Sequence, residues 1–96
     1  ALKPNMEIKF WRNKLGQEID FIVLKDRNPY LIEVKTTLSN REIPPAMKTF
    51  LAHYPETIGG TVFSENMVGE EVFMGKTVRF EPLTAASKTI ETLTAQ

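Results

Sequence analysis

Between Met6 and Thr36 the chain alternates apolar and polar residues in three runs, separated only by short breaker segments. This pattern limits the fold more than any other feature. A period of two belongs to strands, and a break of a few residues joins consecutive strands as neighbours. In Met6 to Arg12, Met6, Ile8 and Phe10 point one way and Glu7, Lys9 and Trp11 the other. Asn13-Lys14-Leu15-Gly16 reads as a turn, with Gly16 free to take positive φ. In Glu18 to Lys25, Ile19, Phe21 and Val23 form one face and Glu18, Asp20, Ile22 and Leu24 the other. Asp26-Arg27-Asn28-Pro29 is a second turn. In Tyr30 to Thr36, Ile32 and Val34 oppose Leu31, Glu33 and Lys35. Three strands and two short turns make an antiparallel meander.

The period then changes. Leu38 to Pro45 is polar and rich in breakers, hence a loop. Proline is tolerated in a first helical turn, so a helix starts at Pro44 or Pro45. Met47, Phe50, Leu51 and Tyr54 mark its apolar face, and Pro55 ends it. Ile58 to Phe63 reads as a fourth strand, interrupted at Gly59-Gly60, and a helical crossover makes it parallel to the third. Glu71 to Met74 and Thr77 to Phe80 form a hairpin around Gly75-Lys76. From Pro82 the chain is Thr/Ala-rich, a short helix or a tail. The fold class is therefore mixed α/β, one domain over residues 1–83 followed by a tail or short helix over 84–96. The expected core is Ile19, Phe21, Val23, Ile32 and Val34 beneath the helix stripe.

Composition bounds the function. Twelve basic and twelve acidic residues cancel, which argues against a nonspecific polyanion binder. Residues 1–48 nevertheless hold nine Lys/Arg against six Asp/Glu, and residues 49–96 hold three against six. The halves are thus +3 and −3, and the basic half carries the chemical motif. With no cysteine, disulfide scaffolds and thiolate metal sites are excluded. The longest run of large apolar residues, Phe21 to Leu24, is far short of the roughly 20 a membrane span needs. No signal peptide is evident, and a cytoplasmic location is expected. The first residue is Ala1 rather than methionine, which suggests a piece of a longer chain.

Asp20 lies on the second strand, and Glu33 and Lys35 sit two apart on the third, sharing a face. If the turn brings the Asp20 face to the Glu33/Lys35 face, two carboxylates and an ammonium converge. Two carboxylates suit Mg²⁺ or Mn²⁺, hard cations that take oxygen ligands and keep several waters. Such an ion acidifies a bound water and stabilises charge on a phosphoryl oxygen, while the lysine orients the water or offsets charge. The Val34 carbonyl is a plausible third ligand. The bland alternative is a solvated strand face with a cross-strand pair worth at most about 1 kcal/mol.

Asp20, twelve intervening residues and then Glu33-Val34-Lys35 resemble the signature of the PD-(D/E)XK, or restriction-endonuclease-like, nuclease superfamily. The wider string Phe10-Trp11-Arg12, Gly16, Glu18-Ile19-Asp20-Phe21 and Ile32-Glu33-Val34-Lys35 resembles one branch more closely. That branch is the domain of unknown function at the C-terminus of many prokaryotic AAA+-type ATPases. Phe50-Leu51, Tyr54-Pro55, Gly59-Gly60 and Pro82-Leu83 also fit, so the resemblance spans roughly residues 10–83. It implies a restriction-endonuclease-like core: an antiparallel meander, then a helix, then a parallel strand. It also implies Mg²⁺ or Mn²⁺ on Asp20, Glu33 and the Val34 carbonyl, DNA or RNA as substrate, and an ATPase module upstream as partner. Two departures stand out. Ile19 occupies the proline position of the motif, and residues 1–5 are too short for the helix that opens the family core. No Gly-x-x-x-x-Gly-Lys-Ser/Thr loop occurs, so ATP enters only through the upstream module.

Further candidates each have a structural reading beside the functional one. Glu18 is an accessory acid or an exposed strand glutamate. Trp11 stacks on a base or packs beneath the sheet. Arg12 and Lys14 touch phosphates or are solvated turn charges, and Lys48 on the helix faces the site or solvent. His53, the lone histidine, reads as a surface residue. Three functions follow: a Mg²⁺-dependent nuclease domain, a catalytically silent nuclease-derived module of an ATPase, or a protein adaptor whose partner covers the Asp20/Glu33/Lys35 face.

Overall fold

A computed structural model describes residues 6–94, apart from the side chains of Met6, Ile90, Leu93 and Thr94. The expectations for residues 1–5 and for the end of the tail lie outside the described residues. Strands β1 (Met6–Arg12), β2 (Glu18–Lys25) and β3 (Asn28–Val34) form the expected meander. The turn between β2 and β3 is tighter than expected. Asp26 and Arg27 both take positive φ, at 53° and 73°, as a two-residue hairpin with the twist of its strands requires. Asn28 and Pro29 already pair with Lys25 and Leu24.

Helix α1 (Pro45–His53) starts with Pro45 in its first turn and is capped at Tyr54. It leads into β4 (Gly59–Ser64), which pairs parallel to β3. Strands β5 (Gly69–Phe73) and β6 (Lys76–Pro82) form the second hairpin, and β6 also pairs parallel to β4. The result is a six-stranded mixed sheet in the order β1-β2-β3-β4-β6-β5. A 3₁₀ turn (Leu83–Ala85) and helix α2 (Ala86–Thr94) follow. The fold is mixed α/β.

Gly59 and Gly60 do not interrupt β4; close packing requires them. A Cβ on Gly59 would stand 2.6 Å from the Thr77 carbonyl oxygen, and one on Gly60 3.0 Å from that of Leu31. The neighbouring backbones fill the space a side chain would need.

The core differs from the expected one. Met47, Phe50 and Leu51 of α1 pack on Ile19, Ile22, Leu31, Val62, Val78 and Phe80. Val23, Ile32 and Phe63 form a second cluster with Tyr30, Leu83 and Ala86. Phe21, Val34 and Tyr54, expected inside, are 47%, 43% and 40% exposed. For Phe21 the cause is a β-bulge. Lys9 pairs with Ile22, but Trp11 pairs with Ile19, so Asp20 and Phe21 together oppose the single residue Phe10. The extra residue breaks strict alternation and sets Ile19 and Ile22, three apart, in one cluster. In β3 alternation carries no direction, because Leu31 and Ile32 are both buried, at 0% and 2% exposure. Central strands covered on both faces lose the two-fold pattern.

Truncation separates the two assignments. Phe80→Ala is expected to lose about 3–5 kcal/mol as a full cavity, and Phe21→Ala less than about 1 kcal/mol, both read from chemical denaturation. A second expectation concerns Tyr30, whose hydroxyl lies 2.6 Å from the Thr61 hydroxyl. Burial pushes the Tyr30 phenol above its ordinary value of 10.0, partly offset by the Thr61 hydrogen bond. A phenol with a raised folded pKa contributes stability that is full below the unfolded value and is lost as pH rises through the folded one. Melting curves above about pH 10 should therefore fall more steeply for the wild type than for Tyr30→Phe. At neutral pH the variant should be about 1 kcal/mol less stable, because Thr61 loses its partner.

Candidate functional site

The β2–β3 ladder runs from Lys25–Asn28 to Phe21–Ile32 and stops there. The next residues, Asp20 and Glu33, replace it with side chains. The Asp20 main-chain amide donates to Glu33 Oε1 at 3.1 Å, and the Val34 amide donates to Asp20 Oδ2 at 2.9 Å. Each carboxylate is thus held by the backbone of the opposite strand, at the point where the bulge lies. Bulges beside sites re-aim a side chain in this way.

Lys35 completes the cluster. Its Nζ lies 3.2 Å from Glu33 Oε2, with the lysine side chain 44% exposed and that of Glu33 only 6%. The glutamate is therefore buried with both oxygens engaged, while the ammonium faces out. A solvated strand face does not account for such burial, since an isolated buried carboxylate is costly unless paired and hydrogen-bonded. The chain beyond Lys35 is fixed too. The Lys35 amide donates to the Phe63 carbonyl and the Glu65 amide to that of Thr36. Asn66 pairs twice with the Leu38 backbone. Arg41 reaches Glu71 and the Val68 carbonyl.

The other candidates lie apart from this cluster. Glu18 is exposed and bound to Arg12 at 3.2 Å. The Arg12 guanidinium also lies 5.7 Å from the centre of the Phe10 ring. Lys48 points to the far hairpin, its Nζ 5.8 Å from the centre of the Phe73 ring. The Trp11 and Phe50 rings meet in a T shape, at 5.4 Å and 86°, as the packing alternative required. Trp11, Arg12 and Lys14 share a groove with Thr49, His53 and Tyr54 of the α1 end. Sequence reasoning missed this grouping. The length of α1 and its stop at Pro55 were the signals available, because they set which residues reach the β1–β2 turn.

Among the described residues no group of three or more His, Cys, Asp or Glu side chains could hold a metal ion. A cation here would rest on the pair Asp20 and Glu33. The donor type fits Mg²⁺ or Mn²⁺, since both groups offer carboxylate oxygens and Asp20 Oδ1 accepts no hydrogen bond from the described residues. No described helix is long and apolar enough to cross a membrane.

A family model described as a domain of unknown function (DUF4143) matches residues 2–78. The chain belongs to this family. The match takes in β1 through the first part of β6, and with it Asp20, Glu33 and Lys35. Comparison with curated proteins and with solved structures gives no significant match.

The anchoring of Glu33 is open to test. Glu33→Ala removes the acceptor of the Asp20 amide and should cost about 1–3 kcal/mol in chemical denaturation. Glu33→Gln retains a carbonyl acceptor and should recover most of that loss.

Proposed function

We propose that this DUF4143 domain has a restriction-endonuclease-like core of the PD-(D/E)XK kind and acts on nucleic-acid phosphodiesters, DNA or RNA, with Mg²⁺ or Mn²⁺. The observation that carries the reading is the reciprocal anchoring of Asp20 and Glu33 where the β2–β3 ladder ends, with Lys35 on Glu33. The element order supports it as well: a meander, a helix and a parallel strand. Asp20, Glu33 and the Val34 carbonyl are the groups that would hold the ion. When bound, the ion supplies a Lewis acid for the phosphoryl oxygen and an acidified water. The chain's own residues do the positioning. The backbone amides of Asp20 and Val34 fix the two carboxylates before substrate arrives. The half-exposed Lys35 ammonium orients the attacking water or offsets charge building on the phosphate. On this reading the domain works in the cytoplasm beside an upstream ATPase module, and ATP acts only through that module.

One observation favours a second reading. Both oxygens of Glu33 and one of Asp20 already have partners within the chain, and two carboxylates make a sparse ligand set. This suits a catalytically silent, nuclease-derived module that binds or regulates for an ATPase. Titration of Mn²⁺ against thermal stability separates the two. For the catalytic reading, saturating Mn²⁺ should stabilise the wild type by about 1–3 kcal/mol through mass action. Asp20→Asn and Glu33→Gln should lose that gain. Cleavage of a mixed nucleic-acid pool by the full-length protein should be lost in Lys35→Ala. Equal melting shifts in all variants, with no cleavage, leave the silent module.

A further inference from the structure

The groove between the β1–β2 turn and the end of α1 has a composition unlike the rest of this neutral chain. Its lining holds Trp11, Arg12, Lys14, His53 and Tyr54 and no acidic residue, although the chain has as many acidic as basic residues. The rings are organised on one buried anchor. Phe50, 5% exposed, holds the Trp11 ring at 5.4 Å and the Tyr54 ring at 4.4 Å. His53 stands 6.4 Å beyond Tyr54.

The turn facing these rings is closed by its own hydrogen bonds. Asn13 Oδ1 accepts from the amides of Leu15 and Gln17, both at 3.0 Å, and Asn13 Nδ2 donates to Gln17 Oε1 at 2.7 Å. This clasp spends Asn13 on shaping the turn. Lys14, beside it, makes no ion pair or hydrogen bond with any described side chain. A preordered turn thus presents an uncommitted cation beside a set of aromatic faces.

We infer that this groove is a subsite for single-stranded nucleic acid, with an unpaired base stacked on the Tyr54–His53 side and a phosphate on Lys14. Every base offers a π-face to such rings, and cations along the groove follow the backbone. A duplex keeps its base faces within its own stack. An acidic peptide would use the cations and leave the rings idle. The location agrees with the site described above. Trp11 pairs with Ile19, the residue before Asp20, and its ring packs on α1, whose partner Leu31 lies two residues from Glu33 on β3. The direction in which a bound strand continues, toward Asp20 and Glu33, rests on the phosphodiester reading. Binding in the groove does not.

The chain contains one tryptophan, and it lines this groove, so its fluorescence reports a ligand bound there. The test titrates a short oligo(dT) into the chain in EDTA, with the matching dA–dT duplex and a poly-glutamate peptide alongside. The expected result is quenching by oligo(dT), at least about tenfold tighter than by duplex. Tyr54→Ala should weaken it by about tenfold. Lys14→Glu, an exposed turn substitution that leaves the core intact, should weaken it similarly and flatten its salt dependence. Melting temperatures of both variants identify any loss due to unfolding. Absence of quenching, equal affinity for duplex, or equal quenching by poly-glutamate overturns the inference. Quenching in EDTA without metal-dependent melting or cleavage keeps the subsite and removes the catalytic reading. Metal-dependent cleavage without quenching does the reverse.

Discussion

The bulge in β2 sets much of what surrounds it. One extra residue opposite Phe10 puts Ile19 and Ile22 together under α1 and leaves Phe21 outside. Main-chain pairing between β2 and β3 stops at the same place, one step before Asp20 and Glu33. Two backbone amides are then left without strand partners, and buried or half-buried amides need acceptors. The carboxylates of Asp20 and Glu33 supply them. A local defect in the ladder is in this way converted into a polar cluster with a fixed geometry.

The cluster depends on its neighbours for its burial. Glu33 lies on the same strand as Leu31 and Ile32, both fully covered, and α1 closes that side of the sheet. Parallel pairing on both sides of β4 places the sheet's most buried strand beside it. Gly59 and Gly60 permit that pairing by leaving room for the Thr77 and Leu31 carbonyls. Lys35 stands where the strand leaves the covered region, so it reaches solvent while its counter-charge does not. A charge pair straddling such a boundary keeps its attraction less screened than two exposed groups would.

Charge is distributed in the same economical manner. Arg12 neutralises Glu18, and Arg41 neutralises Glu71. Lys14, which makes no ion pair among the described residues, sits on a turn clasped by Asn13, next to rings held by Phe50. The chain's neutrality therefore conceals a small region with a positive, aromatic surface, next along the sheet from the carboxylate pair. Net charge describes the average, whereas recognition depends on which charges are left uncommitted.

The amino-acid order by itself determined the elements and their order. The three alternating runs, the turns at Asn13–Gly16 and Asp26, the prolines at the start of α1 and the crossover to β4 all rest on local rules of period, dihedral preference and chain direction. The same period put Glu33 and Lys35 on one face, and the resemblance to a nuclease signature singled them out together with Asp20. Tertiary structure decided which face became the core and how the candidate residues are held. The phase of a strand can shift by one residue through a bulge, and no local signal in Glu18 to Lys25 marks where. Leu31 and Ile32 are both apolar, so β3 could not tell its two sides apart until helices covered them. The grouping of Trp11 and Lys14 with His53 and Tyr54 joins residues about forty positions apart in the chain, and only the packing of α1 against the sheet brings them together.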